Sequence, residues 1–423
     1  MGETLAQKVL ARTAGRDVVQ PGEFVWAQPD VIWLNEGNFL REVDNLRRAG
    51  LDVERRVTKK VFETIDHDIP GSSQASSDRK KRIREVGREY GIRIYDIGRS
   101  GISHQFGAET GDIAPGMLVL ATDVHITTLG GIGALAIPIS RGTPFLLAAG
   151  KTWLRVPETV KVEVSGKMAP WMASRDIAQW LIAQIGDARA DYQVLEFCGD
   201  LIKEMPIDGR LTLCNVAVET SCKAGVVPFD DITKRYFDSS FEGREFAQWW
   251  PVTSDSDAQY SEHLRFDVTD LEPIIALPPS PDNVRPLGEV LGMKIDHAYI
   301  GSCAGGRMED LRMVASVLKG RKVADTVRMF IVPSSQRIYA KAAKEGLLEI
   351  FVEAGASVMA PACSLCYGMQ GALSSGEVRI CTATRNDPGR MGSPEAKILL
   401  TGPATVAASA VKGSVADPRD FVS

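Results

Sequence analysis

The chain has 423 residues, 44% hydrophobic and 24% charged, which is ordinary globular usage and too much chain for one core, so roughly two to four domains are expected. Lys plus Arg total 49 against 54 Asp plus Glu; the net charge of −5 offers a polyanion no bulk attraction, and no nucleic-acid partner is expected. The longest apolar stretches, Met117 to Ala121 and Ala134 to Ile139, fall well short of the roughly 20 residues that span a bilayer, so a soluble chain without a membrane partner is expected.

Met1 to Arg16 has scattered charge, with Leu5, Val9 and Leu10 on one face, and predicts an ordinary first helix rather than a leader. Val61 to Ile65, Arg79 to Tyr90, Ile92 to Ile97 and Met117 to Thr122 follow the rhythm of α/β layers with largely parallel sheets. Trp153 to Pro157 leads out of this unit, Asp176 to Ile185 and Leu211 to Ala224 are predicted helices, and the Asp-, Ser- and Pro-rich stretch 230–290 reads as a small domain ending in a linker. The α/β rhythm returns in Ile295 to Ile300, Met308 to Leu318, Met329 to Val332, Gln336 to Glu345 and Ser357 to Ala360. The expected division is an α/β domain over 1–155, a smaller one over 156–284 and a third over 285–423.

Two familiar motifs fail. Gly150-Lys151-Thr152 lacks the glycine five residues earlier that a phosphate loop needs, because Phe145 stands there. Gly131-Ile132-Gly133 with Ala136 lacks the strand and acidic residue of a dinucleotide fingerprint, so its glycines are expected to allow close backbone approach.

Seven cysteines are too sparse for a disulfide scaffold and fit a reducing cytoplasm. Cys303 lies in Gly301-Ser302-Cys303-Ala304-Gly305-Gly306, after a strand and before a helix, where backbone N–H groups point at whatever the thiolate holds. Cys363 and Cys366 form a Cys-x-x-Cys after Val358 to Ala360, which alone would suit a redox dithiol, half a zinc site or a chance pair. Cys214 and Cys222 read as helical and buried, and Cys381 as part of a strand. Three turn-placed thiolates suit an iron–sulfur cubane with one open iron, a Lewis acid toward a hydroxyl, so addition or removal of water is the expected chemistry; zinc is the alternative.

Three of the five histidines fall within about 60 residues, two of them beside acids: Asp66 with His67 and Asp123-Val124-His125, with His104 in Ser103-His104-Gln105. Strand ends are where α/β sheets place ligands, and a carboxylate on one ring nitrogen sets the tautomer and supports the imidazolium. Arg385 and Arg390 fall in one Pro-Gly turn, and two planar forks on one loop suit a dicarboxylic acid.

Together these motifs resemble the aconitase superfamily and, within it, the 3-isopropylmalate dehydratase large subunits. The resemblance runs from Met1 to Lys8 through Gly150 to Trp153 and Cys214-Asn215 to Arg385 and Gly392. It implies an α/β fold with three α/β/α domains around a cluster-containing cleft, and a hydro-lyase of amino-acid biosynthesis acting on a 2-hydroxy di- or tricarboxylic acid. It also implies that Cys303, Cys363 and Cys366 ligate a 4Fe-4S cluster, with Asn215 approaching it. The family's acid–histidine pairs would fall on Asp66 with His67, Asp123 with His104, and Glu219 with His125. His67 would protonate the departing hydroxyl, while Ser302, Arg385 and Arg390 would hold substrate. The family's serine base and further arginines lie on a swivelling domain. About 20 residues follow Ala404, too few for a domain of at least roughly 50, so a separate small subunit is expected to complete the site.

Five places depart from the usual isopropylmalate pattern: Asn35 in Leu34-Asn35-Glu36-Gly37, Ser103, Val124, Ile126 and Ala304-Gly305. A homoaconitate-, citramalate-, maleate- or alkylmaleate-type acid is therefore an alternative substrate. A cluster-free RNA-binding role is a remoter alternative, against which the acidic balance counts.

Overall fold

The computed structural model describes residues 2–36, 38–140, 142–241 and 251–422. Met1, Gly37 and part of the 230–290 stretch lie outside them. The first helix, Leu5–Ala14, starts where Thr4 and Gln7 form a reciprocal cap and ends at Gly15, whose φ of 65° suits glycine.

The first sheet has five parallel strands in the spatial order Arg93–Tyr95, Val61–Thr64, Val31–Asn35, Leu118–Ala121, Leu135–Pro138. Three of these, Val31–Asn35, Val61–Thr64 and Leu118–Ala121, are buried at every position, the pattern of strands covered on both faces. The chain builds outward from Val31–Asn35 in one direction, then returns to build in the other. The order therefore reverses between Val31–Asn35 and Leu118–Ala121, opening a crevice at their carboxyl ends.

The second sheet orders Ala224–Val226, Val194–Cys198, Thr159–Ser165 and Glu262–Asp267, all parallel. The third has seven strands: Val284–Pro286, Ile274–Ala276, Lys397–Leu400, Val378–Cys381, His297–Ile300, Arg328–Ile331 and Ser357–Val358. Its last five are mutually parallel, and their order reverses between His297–Ile300 and Val378–Cys381. A separate antiparallel ribbon pairs Phe24–Ala27 with Thr152–Arg155.

Two expectations need correction. The helix predicted to Ala224 stops at Val216; a tight turn over Ala217–Thr220 and Ser221 at φ 65° reverses the chain, and Ala224 opens a strand. Cys222 is thus buried in a loop. The stretch predicted to end in a linker instead supplies Glu262–Asp267 to the second sheet and Ile274–Ala276 with Val284–Pro286 to the third, because neighbouring strands offer these short runs backbone partners despite the surrounding prolines.

The glycine expectation has a physical counterpart. A Cβ on Gly130 would stand 1.8 Å from the Gly225 carbonyl oxygen, and one on Gly131 would stand 2.5 Å from the Leu211 nitrogen. Only bare backbone lets the segment Val124–Ile132, which carries His125, lie against both the strand Ala224–Val226 and the helix Ile207–Val216, which carries Asn215.

Candidate active site

The carboxyl ends of the first and third sheets face a common cavity of about 440 Å³. The first sheet delivers Asn35 and Glu36 after one strand, His67 after the next, and Asp123, Val124 and His125 after a third. The third sheet delivers Cys303 after His297–Ile300, Cys363 and Cys366 after Ser357–Val358, and Arg385 and Arg390 after Val378–Cys381.

All three acid–histidine pairs form. His67 Nδ1 lies 2.6 Å from Asp66 Oδ1, His104 Nε2 lies 3.2 Å from Asp123 Oδ1, and His125 Nε2 lies 2.9 Å from Glu219 Oε1. Each acid has a second anchor. Asp66 accepts the Ser103 N–H at 2.7 Å, Asp123 accepts the His125 N–H at 3.0 Å, and both Glu219 oxygens accept from Arg385 Nε at 2.9 Å. Burial by itself would discharge His67, but Asp66, Asp123 and Glu36 overcome it and raise its pKa to about 9. Burial likewise opposes charge on Asp123, yet His104 and His125 hold it well below the usual carboxylate range. Glu219 is lowered against its own burial by His125 and Arg385, and His125 is raised against its burial by Asp123 and Glu219.

Cys303, Cys363 and Cys366 are buried free thiols at this cavity, while Cys214, Cys222 and Cys381 are buried elsewhere. Burial and the neighbouring Cys366 push the Cys303 thiol up to about 12. The Cys366 thiolate is favoured by a hydrogen bond from the Cys363 thiol and by Arg390, whose Nη2 lies 3.8 Å from Cys366 Sγ. Asn215 donates from Nδ2 to Thr128 Oγ1 at 2.7 Å, and its buried Oδ1 has no partner. One ligand atom each from His104, His125 and Cys303 lies within 4.8 Å of the others, so the histidine and cysteine walls meet. Three thiols at one cavity without a fourth fit a cluster held by three cysteines better than a four-cysteine zinc site.

Ser302 does not join the cavity. It is fully buried at φ 74°, its hydroxyl donating to the Thr382 carbonyl at 3.2 Å and accepting from the Ala304 N–H at 3.0 Å. It shapes the cysteine turn. Of the departures from the isopropylmalate pattern, only Asn35 and Val124 line the cavity. Asn35 Nδ2 donates to Asp123 Oδ2 at 3.2 Å, and Val124 is 37% exposed. Ser103, Ile126 and Ala304 are buried, and a Cβ on Gly305 would stand 2.3 Å from Thr382 Cβ.

Sequence reasoning passed over Glu36, Arg79, Tyr367 and Met369 as site residues, although all four line the cavity. Glu36 accepts the His67 N–H at 3.2 Å, and Lys80, itself buried, lies 3.8 Å from its other oxygen. The available signals were the strand end before Glu36 and the position of Tyr367 directly after Cys366. Arg79 carries none, because its helix reads as an ordinary amphipathic one.

Crevices at two facing strand-order reversals, lined by paired acids and histidines on one side and three cysteines on the other, define the class. Residues 7–413 match the model of the aconitase family (aconitate hydratase), and the chain belongs to that family. Among individual relatives it is similar to the 3-isopropylmalate dehydratase large subunit 1 of Methanopyrus kandleri, with 40% identity over 429 residues and complete coverage of both chains. It is equally similar to the 3-isopropylmalate dehydratase large subunit of Thermodesulfovibrio yellowstonii, at 40% identity over 425 residues, again covering 100% of each. The crystal structure of Thermococcus kodakaraensis aconitase X in its holo-form gives a TM-score of 0.47 at 14% identity, covering 90% of this chain and 89% of that one.

Proposed function

We propose that this chain is the large subunit of an aconitase-type hydro-lyase that removes and adds water on a 2-hydroxy di- or tricarboxylic acid of the 3-isopropylmalate type. The observation that carries this is the convergence of Cys303, Cys363 and Cys366 with the three acid–histidine pairs on one cavity. The three cysteines would hold a 4Fe-4S cluster, with Asn215 beside it. When bound, such a cluster supplies Lewis acidity toward a hydroxyl.

The protein's own groups do the rest. His67, protonated at neutral pH because of Asp66, delivers a proton to the departing hydroxyl, which leaves as water. Arg385 is fixed through Nε by Glu219, leaving its Nη nitrogens for a substrate carboxylate, and Arg390 adds a second cation beside Cys366. Asp123, 3.2 Å from His104 Nε2 and 3.6 Å from His125 Nδ1, lets one carboxylate act on both imidazoles.

The apolar part of the cavity lining favours an alkyl-bearing acid. Val124, Tyr367 and Met369 are all partly exposed there, and a hydrocarbon group covers them at about 25 cal/mol per Å². Replacing a hydroxyl by Val124 removes a donor, so an alkylmaleate- or citramalate-type acid is the alternative substrate. The base that takes the carbon-bound proton, with further carboxylate-binding arginines, would come from a small subunit carrying the swivelling domain. The division into 1–155, 156–284 and 285–423, and a location in the cytoplasm, belong to the same reading. No helix among the described residues is long and apolar enough to cross a membrane.

The test is anaerobic reconstitution with iron and sulfide, addition of the co-encoded small subunit, and a screen of 2-hydroxy and unsaturated dicarboxylic acids. Broad visible absorption with stoichiometric sulfide and dehydration of one acid are expected. Zinc retained without sulfide, or full turnover by the isolated chain, would overturn the proposal.

A further inference from the structure

His104 and Gln105 are consecutive on the short helix Ser103–Phe106, yet they line different cavities. His104 faces the candidate active site, whereas Gln105 faces a second cavity of about 430 Å³. Its lining has three chemically distinct parts. Glu109 accepts on Oε1 from Gln105 and Ser335, each at 2.8 Å, while its buried Oε2 has no partner. Arg235, Arg337 and Lys341 bring positive charge and Asp208 a negative one; among the described residues Arg235 and Lys341 have no ion-pair partner, Arg337 Nη2 donates to Ser240 Oγ at 3.0 Å, and Arg312, also in the lining, is taken up by Glu345. Ile207, Ile232, Met308 and Ile338 form apolar wall.

A buried carboxylate oxygen without a partner calls for a donor, preferably a charged one. Arg235, Arg337 and Lys341 outnumber Asp208 and call for an anion, and the apolar wall calls for hydrocarbon. A simple anion would leave Glu109 unmatched, and a simple amine would leave the cations unmatched. We propose that this cavity binds an aliphatic α-amino acid as its zwitterion, with the ammonium on Glu109, the carboxylate among Arg235, Arg337 and Lys341, and the side chain on the isoleucines. Burial raises the Glu109 pKa to about 6 against the hydrogen bonds from Gln105 and Ser335, so a cation beside it also relieves a strained charge.

The same contacts give a bound ligand a route to the first cavity. Gln105 accepts Arg307 Nε at 2.7 Å, and Arg307, buried and donating to Thr212 at 2.7 Å, ends the turn that carries Cys303. A ligand that draws on Glu109 therefore acts on the residue next to His104 and on the cysteine turn together. This coupling, unlike the binding, rests on reading the first cavity as the hydro-lyase site.

Calorimetry on the full chain with L-norvaline, pentanoate and butylamine separates the three parts of the lining. Norvaline should bind, each single-function analogue should bind at least about tenfold more weakly, and Glu109→Gln should weaken norvaline by a similar factor. The surface double variant Arg235→Ala/Lys341→Ala, which removes no buried group, should also weaken it. No heat with norvaline up to ~10 mM, equal binding of pentanoate, or unchanged binding to Glu109→Gln would overturn the site. In the reconstituted complex, saturating norvaline should change kcat or KM at least about twofold, and Glu109→Gln should abolish the change. Binding without that change would overturn the coupling alone, whereas lack of any turnover would count against the hydro-lyase reading and leave the calorimetry to judge the site.

Discussion

The histidine wall and the cysteine wall of the cavity are built on the same plan. Each is the carboxyl end of a parallel sheet where strand order reverses, between Val31–Asn35 and Leu118–Ala121 in one case and between His297–Ile300 and Val378–Cys381 in the other. One crevice presents charge-paired imidazoles, the other sulfur and guanidinium. The plan thus provides the place, and the few residues just past the strand ends decide the chemistry. The walls also differ in how they are held. The histidines depend on acids drawn from several segments, while the cysteines sit in turns held by backbone, as where the Cys363 N–H donates to the Asp66 carbonyl at 2.8 Å.

That comparison can be broken most sharply at the cysteines. Cys303→Ser, Cys363→Ser or Cys366→Ser should abolish the visible absorption of the reconstituted chain and lower dehydration by on the order of 10³-fold or more. A variant that keeps both would show that the cysteine wall is structural.

The histidine wall is next. His67→Ala should lower kcat by roughly 10²- to 10⁴-fold, with the absorption spectrum unchanged. Its charge gives a pH signature: with a folded pKa of about 9 against an ordinary 6.5, the stability its pairing contributes is fully present below about 6.5 and fades as pH rises through about 9. Activity that depends on its proton should fall over the same alkaline limb, and Asp66→Asn should move that limb to lower pH in a pH–rate profile.

Glu219 joins the walls, since it holds His125 from one and Arg385 from the other. Glu219→Gln should cost roughly 10- to 100-fold in kcat/KM, the range seen when an orienting partner is lost. A loss confined to kcat would mean that Arg385 still grips substrate without it. The smallest effect belongs to the rim: Val124→Ser should shift preference between an alkylated and an unalkylated acid by about 10-fold at most, read as the ratio of their kcat/KM values.

Much of this molecule was legible in its sequence because the signals are local. Met308–Leu318 shows apolar periodicity and occurs as a helix with those bounds, and the glycine-rich turn at Cys303 and the Cys-x-x-Cys at Cys363 announce themselves within a few residues. The aconitase family was likewise readable from its cysteine and arginine motifs. Side-chain direction and long-range pairing were not. Ser302 stands next to a cavity cysteine but turns inward, since its backbone conformation and the Thr382 carbonyl govern where its hydroxyl goes. The strands at Glu262–Asp267 and Ile274–Ala276 exist because distant strands offer them partners, a factor no local window contains. Composition, periodicity and motif spacing determined the α/β class and the chemical vocabulary of the chain. Only the tertiary structure decided that Asn35 and Val124 reach the cavity while Ser103 and Ile126 do not, because facing a cavity depends on what the rest of the fold packs against each side chain.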